Sequence, residues 1–165
     1  MQFQTGPFPK IRELVDADRT AIHEILVTCG AFTEEEVRVA LDVLADGLAG
    51  GLDGDYPLFA AELDGCVRGY VCVGKTPLTR GTWHEYWIGV HPAAQRHGIG
   101  QALQSHVEAF VRSRGGERLV LETSGRPAYV RTRRFYRKAG YARVGRIRDF
   151  YQPGDDCIVF SKELT

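Results

Sequence analysis

The sequence predicts a mixed α/β (α+β) fold with a central sheet of about seven strands and about four helices. Strand-like and helix-like apolar patterns alternate in the order β-α-α-β-β-β-α-β-α-β-β. Asp64-Gly65 joins two of the strand patterns as a hairpin turn would. A turn over residues 95–100, with two glycines, leads from a strand pattern straight into an amphipathic helix pattern. At 165 residues, one domain spanning 1–165 is expected.

The N-terminal part contains one strand followed by two helices. Lys10–Val15 has a strand pattern, and Asp16 is a typical N-cap for a helix through Leu26. Thr33-Glu34-Glu35-Glu36 is a capping box, in which the threonine and the last glutamate satisfy each other's amide groups. It predicts a second helix with apolar residues on one stripe from Val37 to Leu48.

The remaining elements are bounded by turn residues. They are strands over Pro57–Leu63, Val67–Val73 and Trp83–Val90, a helix from near Gly98, a strand over Arg118–Thr123, a helix over Tyr129–Ala139, and strands over Tyr141–Phe150 and Cys157–Lys162. Helices and strands alternate closely enough to predict one mixed sheet covered by helices.

Composition predicts a globular cytoplasmic protein. Apolar residues make up 44% and charged residues 25% of the chain. No apolar run reaches membrane-spanning length, and the first ten residues lack the apolar segment of a secretory signal. The four cysteines form no CxxC pair and are expected to be buried free thiols, and no metal cluster is evident at ligand spacing.

The formal net charge of zero conceals a polarity along the chain. Residues 1–64 carry thirteen acids and four bases, whereas residues 126–148 carry nine bases and no acid. Such a basic segment suits phosphates of nucleic acid, a phosphorylated cofactor, or the chain's own acids. Nucleic acid is the least supported of the three, because no aromatic-rich nucleic-acid motif accompanies the segment.

The stretch from Gln95 to Ala102 is the most informative part of the chain. Its glycines allow the backbone to approach a ligand, and the unpaired N–H groups of the first helical turn point outward with the positive helix end behind them. Such a site suits a pyrophosphate. Tight strand-to-helix turns also use glycine for purely steric reasons, so the surrounding sequence has to distinguish the two interpretations.

Three strings in the surrounding sequence share one resemblance. They are Ile88-Gly89-Val90-His91-Pro92, Gln95-Arg96-His97-Gly98-Ile99-Gly100 and Arg134-Phe135-Tyr136-Arg137-Lys138-Ala139-Gly140-Tyr141. Together they resemble the GNAT superfamily of acyl-CoA-dependent N-acyltransferases, in its bacterial single-domain type, whose turn reads Q/R-x-x-G-x-G/A. The resemblance implies a mostly antiparallel sheet that splays between strands four and five, with helices on both faces.

The resemblance also implies a donor site for acetyl-CoA as co-substrate. The pyrophosphate would be held by the backbone of Gln95, Arg96, His97, Gly98, Ile99, Gly100, Gln101 and Ala102. Ile88, Gly89 and Val90 would face the pantetheine arm and supply an N–H to the thioester oxygen. Tyr129 stands where many members carry a pantetheine-contacting asparagine. Arginines 96, 131, 133 and 134 are alternative partners for the CoA phosphates, with Arg96 favoured by its place in the loop.

Tyr136 aligns with the family tyrosine that protonates the departing thiolate. The competing interpretation is an aromatic that packs under strand six. Phe135 fits that core role better, since adjacent helical residues point about 100° apart. A phenol with a pKa of about 10 stays protonated at neutral pH and can therefore serve as an acid.

The attacking amine has to be neutral. A lysine-like amine is neutral in only about one of 2,500 molecules at pH 7, so a base contributes to the reaction. His84 and Glu122 are equal candidates for this base, with Glu85 behind them. His84 lies on the strand face where several relatives carry a base, and Glu122 ends strand five; the alternatives are a solvated edge histidine and a glutamate paired with arginine.

The acceptor side follows from position only. Phe32 and Tyr86, and in the last hairpin Tyr151, Asp155 and Asp156, would flank the thioester, and the two acids suit a cationic amine. The sequence predicts an acyltransferase that moves acetyl directly to a primary amine of a small molecule, peptide or protein. We expect no nucleic-acid or membrane partner, and a monomer or homodimer. The alternatives are a non-catalytic CoA-binding sensor and a nucleic-acid-binding module built on residues 126–148.

Overall fold

The computed structural model describes residues 8–164, in which seven strands and four α-helices follow in the predicted order. They are β1 (Lys10–Glu13), α1 (Arg19–Thr28), α2 (Glu34–Gly50), β2 (Leu58–Leu63), β3 (Cys66–Lys75), β4 (Thr82–Val90), α3 (Ile99–Ser113), β5 (Arg118–Ser124), α4 (Val130–Lys138), β6 (Ala142–Gln152) and β7 (Asp155–Glu163). Residues 1–7, on which the expectation of no secretory signal partly rests, lie outside the described residues. No helix in the described part of the chain is long and apolar enough to cross a membrane.

The strands form one mixed sheet in the order β1-β2-β3-β4-β5-β7-β6. Pairing is antiparallel in β1–β2, β2–β3, β5–β7 and β6–β7, and parallel in β4–β5. The parallel ladder ends where Glu85 pairs with Leu121, although β4 continues to Val90 and β5 to Ser124. This early end confirms the predicted splay between strands four and five.

The chain divides into two compact units, with the boundaries inside β3, β4 and α3. The first unit holds the described residues up to Cys72 together with Trp87–His106, and the second holds Val73–Tyr86 and the described residues from Val107 onward. A single domain over 1–165 therefore stays a prediction.

The first unit is built around apolar side chains of α1, α2, β2 and β3. Ile22, Leu44 and Tyr70 are fully or almost fully buried in this cluster. The predicted capping box at the start of α2 is confirmed: the Glu36 N–H donates to Thr33 Oγ1 at 3.2 Å, and the Thr33 N–H donates to Glu36 Oε2 at 2.7 Å. Asp64 and Gly65 both have positive φ, as the predicted β2–β3 hairpin turn requires.

The second unit contains the last turns of α3, from Val107 onward, together with α4, β5, β6 and β7. Its core includes Leu119, Leu121 and Phe160. A partly buried ion pair joins α3 to β7, where Lys162 Nζ lies 2.8 Å from Glu108 Oε2. Lys162 also donates to the Ala139 carbonyl at the end of α4, so one cation ties three elements together.

Two local predictions from the sequence were wrong. Asp16 does not cap α1; it begins a short 3₁₀ turn and pairs with Arg19, while the Asp18 carboxylate accepts the Val15 N–H. Cys66 is exposed rather than buried, because it opens β3 directly after the hairpin turn, opposite Leu63. Cys72 and Cys157 are buried free thiols as predicted.

Candidate active site

The turn before α3 exposes a row of backbone amides. Arg96 and Gly98 have φ of 68° and 76°, and Gln95, Arg96, His97 and Gly98 are all exposed. Within residues 8–164, the amides of residues 96–101 have no protein acceptor, and the first helical bond is Ala102 N–H to the Gly98 carbonyl. The loop therefore presents a series of backbone donors at the start of a 15-residue helix.

Contacts with neighbouring residues fix this turn on both sides. Ile99, only 1% exposed, anchors the start of α3 against β3, where a Cβ at Gly69 would lie 2.7 Å from the Ile99 side chain. Before the loop, His91 Nδ1 accepts the Ala93 N–H and His91 Nε2 lies 3.3 Å from Glu24 Oε1. These contacts hold the turn at the end of β4 without using the loop amides.

The other predicted donor-side residues lie on two elements. Ile88 and Val90 are half-buried and Gly89 is buried, all in the part of β4 beyond the parallel ladder. A Cβ at Gly89 would approach Ile25 to 3.0 Å, so the position is tight. Tyr129 is half-buried and ends the 3₁₀ turn that precedes α4.

Tyr136 is buried and hydrogen-bonded to a buried glutamate. Its hydroxyl donates to Glu85 Oε1 at 2.8 Å, and each residue is 4% exposed. Burial, and then the charge of Glu85, raise the pKa of Tyr136 well above its ordinary value. The expectation that Phe135 takes the core position was wrong, because Phe135 is only half-buried while Tyr136 packs against Tyr141 and Phe160.

The opposite face of the sheet carries the two main candidate bases. His84 pairs with Val120 in the parallel ladder, and Glu122 is two residues further along the same face of β5. Burial lowers the pKa of His84, while the neighbouring charge of Glu122 acts in the opposite direction. The His84 ring stacks on Tyr86 with centroids 4.9 Å apart. Glu122 is exposed and has no ion-pair partner among the described residues.

The β6–β7 hairpin adds a polar cluster to this face. Tyr151 is exposed, and its hydroxyl bonds to the Cys157 thiol; burial and then the Cys157 charge raise the pKa of Tyr151. Cys157 is fully buried opposite Ser124, and burial followed by the charge of Glu122 raises its pKa. Sequence reasoning missed this thiol, because only the pairing of β5 with β7 brings Cys157 near Glu122.

The two acids of this hairpin are neutralised by neighbours. Asp155, 4% exposed, accepts the Ser124 hydroxyl and lies 3.1 Å from Arg126 Nε. Asp156 pairs with Arg146 and accepts the Asp149 N–H, and this N–H, followed by Arg146, lowers the pKa of Asp156. Neither carboxylate is available as the free anion that the expectation of a cationic amine required.

Phe32 lies in the first unit. Its ring meets Trp87 edge to face with centroids 5.3 Å apart, beside the α1–α2 core. Among residues 8–164 no group of three or more His, Cys, Asp or Glu side chains is arranged to hold a metal ion.

Comparison with known proteins identifies the family of this chain, and the family is one of acyltransferases. The sequence model of the Acetyltransferase (GNAT) family matches residues 19–141. This chain belongs to the GNAT acetyltransferase family, whose general reaction is acetyl-CoA-dependent N-acetyl transfer. A comparison with curated proteins finds no match.

Solved structures agree with this assignment. A GNAT-family protein from Desulfovibrio desulfuricans is 37% identical, with a TM-score of 0.90 over 95% of this chain and 99% of that one. The Salmonella typhimurium protein yncA, solved with acetyl-CoA, is 23% identical with a TM-score of 0.73 over 96% and 95%. The Escherichia coli ribosomal-protein-S18-alanine N-acetyltransferase is 20% identical with a TM-score of 0.77 over 96% and 95%. The last two share the fold.

Proposed function

We propose that this protein transfers acetyl from acetyl-CoA directly to a primary amine of a small molecule, peptide or protein. The general reaction belongs to the family; the direct route, the amine class and the residue roles below are the proposal. The cytoplasmic location expected from the sequence and the monomer-or-homodimer state also stay predictions.

The free amides of residues 96–101 fit the diphosphate of the donor. Unpaired N–H groups at a helix start bind phosphate oxygens through hydrogen bonds and the helix dipole. Arg96 adds a cation within the same loop. Ile88, Gly89 and Val90 would bind the pantetheine arm and donate an N–H to the thioester oxygen, and Tyr129 would contact the same arm. When bound, acetyl-CoA supplies the activated acyl group.

Tyr136 would protonate the departing thiolate. Its raised pKa keeps the phenol protonated at neutral pH. The same shift makes it a weaker acid than a free phenol, while a thiol has an ordinary pKa of about 8.5. Proton transfer to sulfur is therefore favoured when the bond between the Tyr136 hydroxyl and Glu85 loosens. Glu85 is thus the residue that positions and tunes this acid.

His84 and Glu122 would deprotonate the amine from the opposite face of the sheet. The lowered pKa of His84 leaves the imidazole neutral near pH 7 and able to accept a proton. The exposed Glu122 carboxylate favours an ammonium group arriving beside it. Acid and base on opposite faces keep the two proton transfers apart: the base takes the proton of the attacking amine, and Tyr136 gives its proton to the thiolate that leaves when the tetrahedral intermediate collapses.

The cysteines support direct transfer. A nucleophilic cysteine needs thiolate character, and both burial and the Glu122 charge keep Cys157 protonated. Tyr86 and Tyr151 are exposed on the same face and are the strongest acceptor contacts. Phe32 is still proposed to contact the acceptor amine, on the basis of its position in the chain. Asp155 and Asp156 would shape the hairpin rather than attract the amine.

The single observation that carries the proposal is the end of the β4–β5 ladder, with Tyr136 and Glu85 on one face and His84 and Glu122 on the other. The test is thiol release from acetyl-CoA across a panel of amines and peptides, with product masses. Amine-dependent release matched by an acetylated product is expected. Tight acetyl-CoA binding without thiol release for any amine would favour the alternative, a non-catalytic CoA-binding sensor. The hydrogen bond between Tyr136 and Glu85 is also compatible with that alternative.

A further inference from the structure

A groove lined by arginines lies on the α4 face of the second unit, and we name it the arginine groove. Its volume is about 380 Å³. Val130 and Ile158 form apolar parts of its wall, and Asp156 is the one acid among the lining residues. The basic side chains are Arg133, Arg134, Arg137, Arg143 and Arg146.

Three of these arginines have no internal partner. Arg134, Arg137 and Arg143 are exposed, and no carboxylate of residues 8–164 pairs with them. Arg133 is directed inward, where its Nη1 donates to the Ser124 and Arg126 carbonyls at 2.7 and 2.9 Å. Like charges that line one groove repel each other, so folding alone gives no reason to assemble them. The excess positive charge indicates an external anion.

The groove already binds one carboxylate. Two nitrogens of Arg146 contact Asp156 Oδ2 inside it. An arginine offers a planar fork of N–H donors that matches a carboxylate, with hydrogen bonds stronger than those between neutral groups. The guanidinium groups of Arg134, Arg137 and Arg143 therefore remain available to bind carboxylates of a partner.

The lining favours peptide over nucleic acid. No aromatic ring lines the groove among the described residues, so bases have no stacking surface. The apolar contribution of Val130 and Ile158 suits the methylene groups of glutamate side chains. A groove of this volume accommodates a few side chains rather than a length of nucleic-acid backbone.

We propose that the arginine groove binds an acidic segment of a partner protein, through glutamate or aspartate carboxylates on Arg134, Arg137 and Arg143. This interaction is separate from acetyl transfer and does not use the loop at residues 96–101. It therefore stands or falls independently of the proposed function.

The test is fluorescence anisotropy with a labelled hexaglutamate peptide and the full chain at low ionic strength. The Arg137→Gln/Arg143→Gln variant should bind at least about tenfold more weakly, because it loses two charge-assisted contacts. The matched control is Arg38→Gln/Arg80→Gln, which removes the same charge from exposed sites elsewhere and should bind like the wild type. Thermal unfolding of both variants confirms that they are folded.

Three results would overturn the proposal. The first is equal weakening in the two double variants, which would indicate a response to net charge alone. The second is displacement of the peptide by saturating CoA, which would make the groove part of the donor site. The third is tighter binding of a single-stranded oligonucleotide of equal charge, which would assign the groove to nucleic acid.

Discussion

The Tyr136 hydroxyl donates to Glu85 Oε1 at 2.8 Å, and this bond joins α4 to the last residue of β4 that still pairs with β5. Both side chains are buried, so the bond is made in a medium where electrostatic interactions are stronger than in water. The residue proposed as the acid is thus held at the point where the two strands part.

Replacing Tyr136 by Phe should lower kcat about 10²-fold or more while leaving acetyl-CoA affinity unchanged, because a general acid is lost and the ring is kept. Stability should fall by about 1–3 kcal/mol, since buried Glu85 loses one donor. Thiol-release kinetics, calorimetric binding of acetyl-CoA and urea unfolding measure the three quantities.

Tyr141→Phe is the matched control. It removes a buried phenol that donates to Glu108 at 3.1 Å, so it should cost similar stability and leave kcat near the wild-type value. Equal losses of kcat in the two variants would show that Tyr136 contributes to packing and does not act as the acid.

Replacing Glu85 by Gln should lower the pKa of Tyr136, because the carboxylate charge contributes to raising it, while burial keeps that pKa above its ordinary value. Since the phenol must be protonated to act, the basic limb of the kcat/KM profile should move to lower pH. A pH series combined with ultraviolet titration of tyrosinate measures both. If the basic limb of the kcat/KM profile does not move in the Glu85→Gln variant, Glu85 does not tune the residue that acts as the acid.

The base can be identified from the acidic limb of the same profile. If His84 is the base, the limb should report a pKa below about 6.5, since burial lowers the pKa of His84. The Glu122 charge opposes that shift, so Glu122→Gln should move the limb to still lower pH. His84→Gln should lower kcat/KM about 10²-fold or more. The opposite result would identify Glu122 as the base: the acidic limb of the kcat/KM profile would disappear in the Glu122→Gln variant and persist in the His84→Gln variant.

The same histidine affects stability. The pKa of His84 is lower in the folded than in the unfolded chain, so below the unfolded value of about 6.5 the unfolded state binds more protons. Its contribution to stability is complete above that pH and decreases as the pH falls. The His84→Gln variant should show a smaller loss of stability between pH 7 and pH 5 than the wild type.

Gly98→Ala should weaken acetyl-CoA binding about tenfold or more, because a positive φ of 76° costs a side-chain-bearing residue about 1–2 kcal/mol and the relaxed turn would misdirect its amides. Gly65→Ala is the control: its φ is 74° and its Cβ likewise meets nothing within 4 Å. Both variants should lose similar stability. Equal acetyl-CoA affinity in the two would exclude a special role for the turn.

Local features of the chain were predictable from sequence. The capping box at Thr33, the Asp64-Gly65 hairpin and the turn at Gly98 depend on neighbours within a few residues, and each forms as predicted. Helix and strand order followed from apolar periodicity for the same reason.

Contacts between distant residues were not predictable in this way. Tyr136 is more deeply buried than Phe135, because Glu85, 51 positions away in the chain, accepts the hydrogen bond of the Tyr136 hydroxyl. Apolarity alone favours Phe at such a position and takes no account of a buried acceptor. Asp155 and Asp156 were expected to be free acids, and the pairing of β5, β6 and β7 places Arg126 and Arg146 beside them.

Binding of the diphosphate by the loop is tested most directly by NMR of the backbone amides of residues 96–101 during titration with acetyl-CoA and, in parallel, with S-acetylpantetheine, which lacks the diphosphate. We expect large shifts and slowed hydrogen exchange at these amides with acetyl-CoA, and little change with S-acetylpantetheine. Saturating acetyl-CoA binding that leaves the amides of residues 96–101 unshifted and freely exchanging would contradict this expectation.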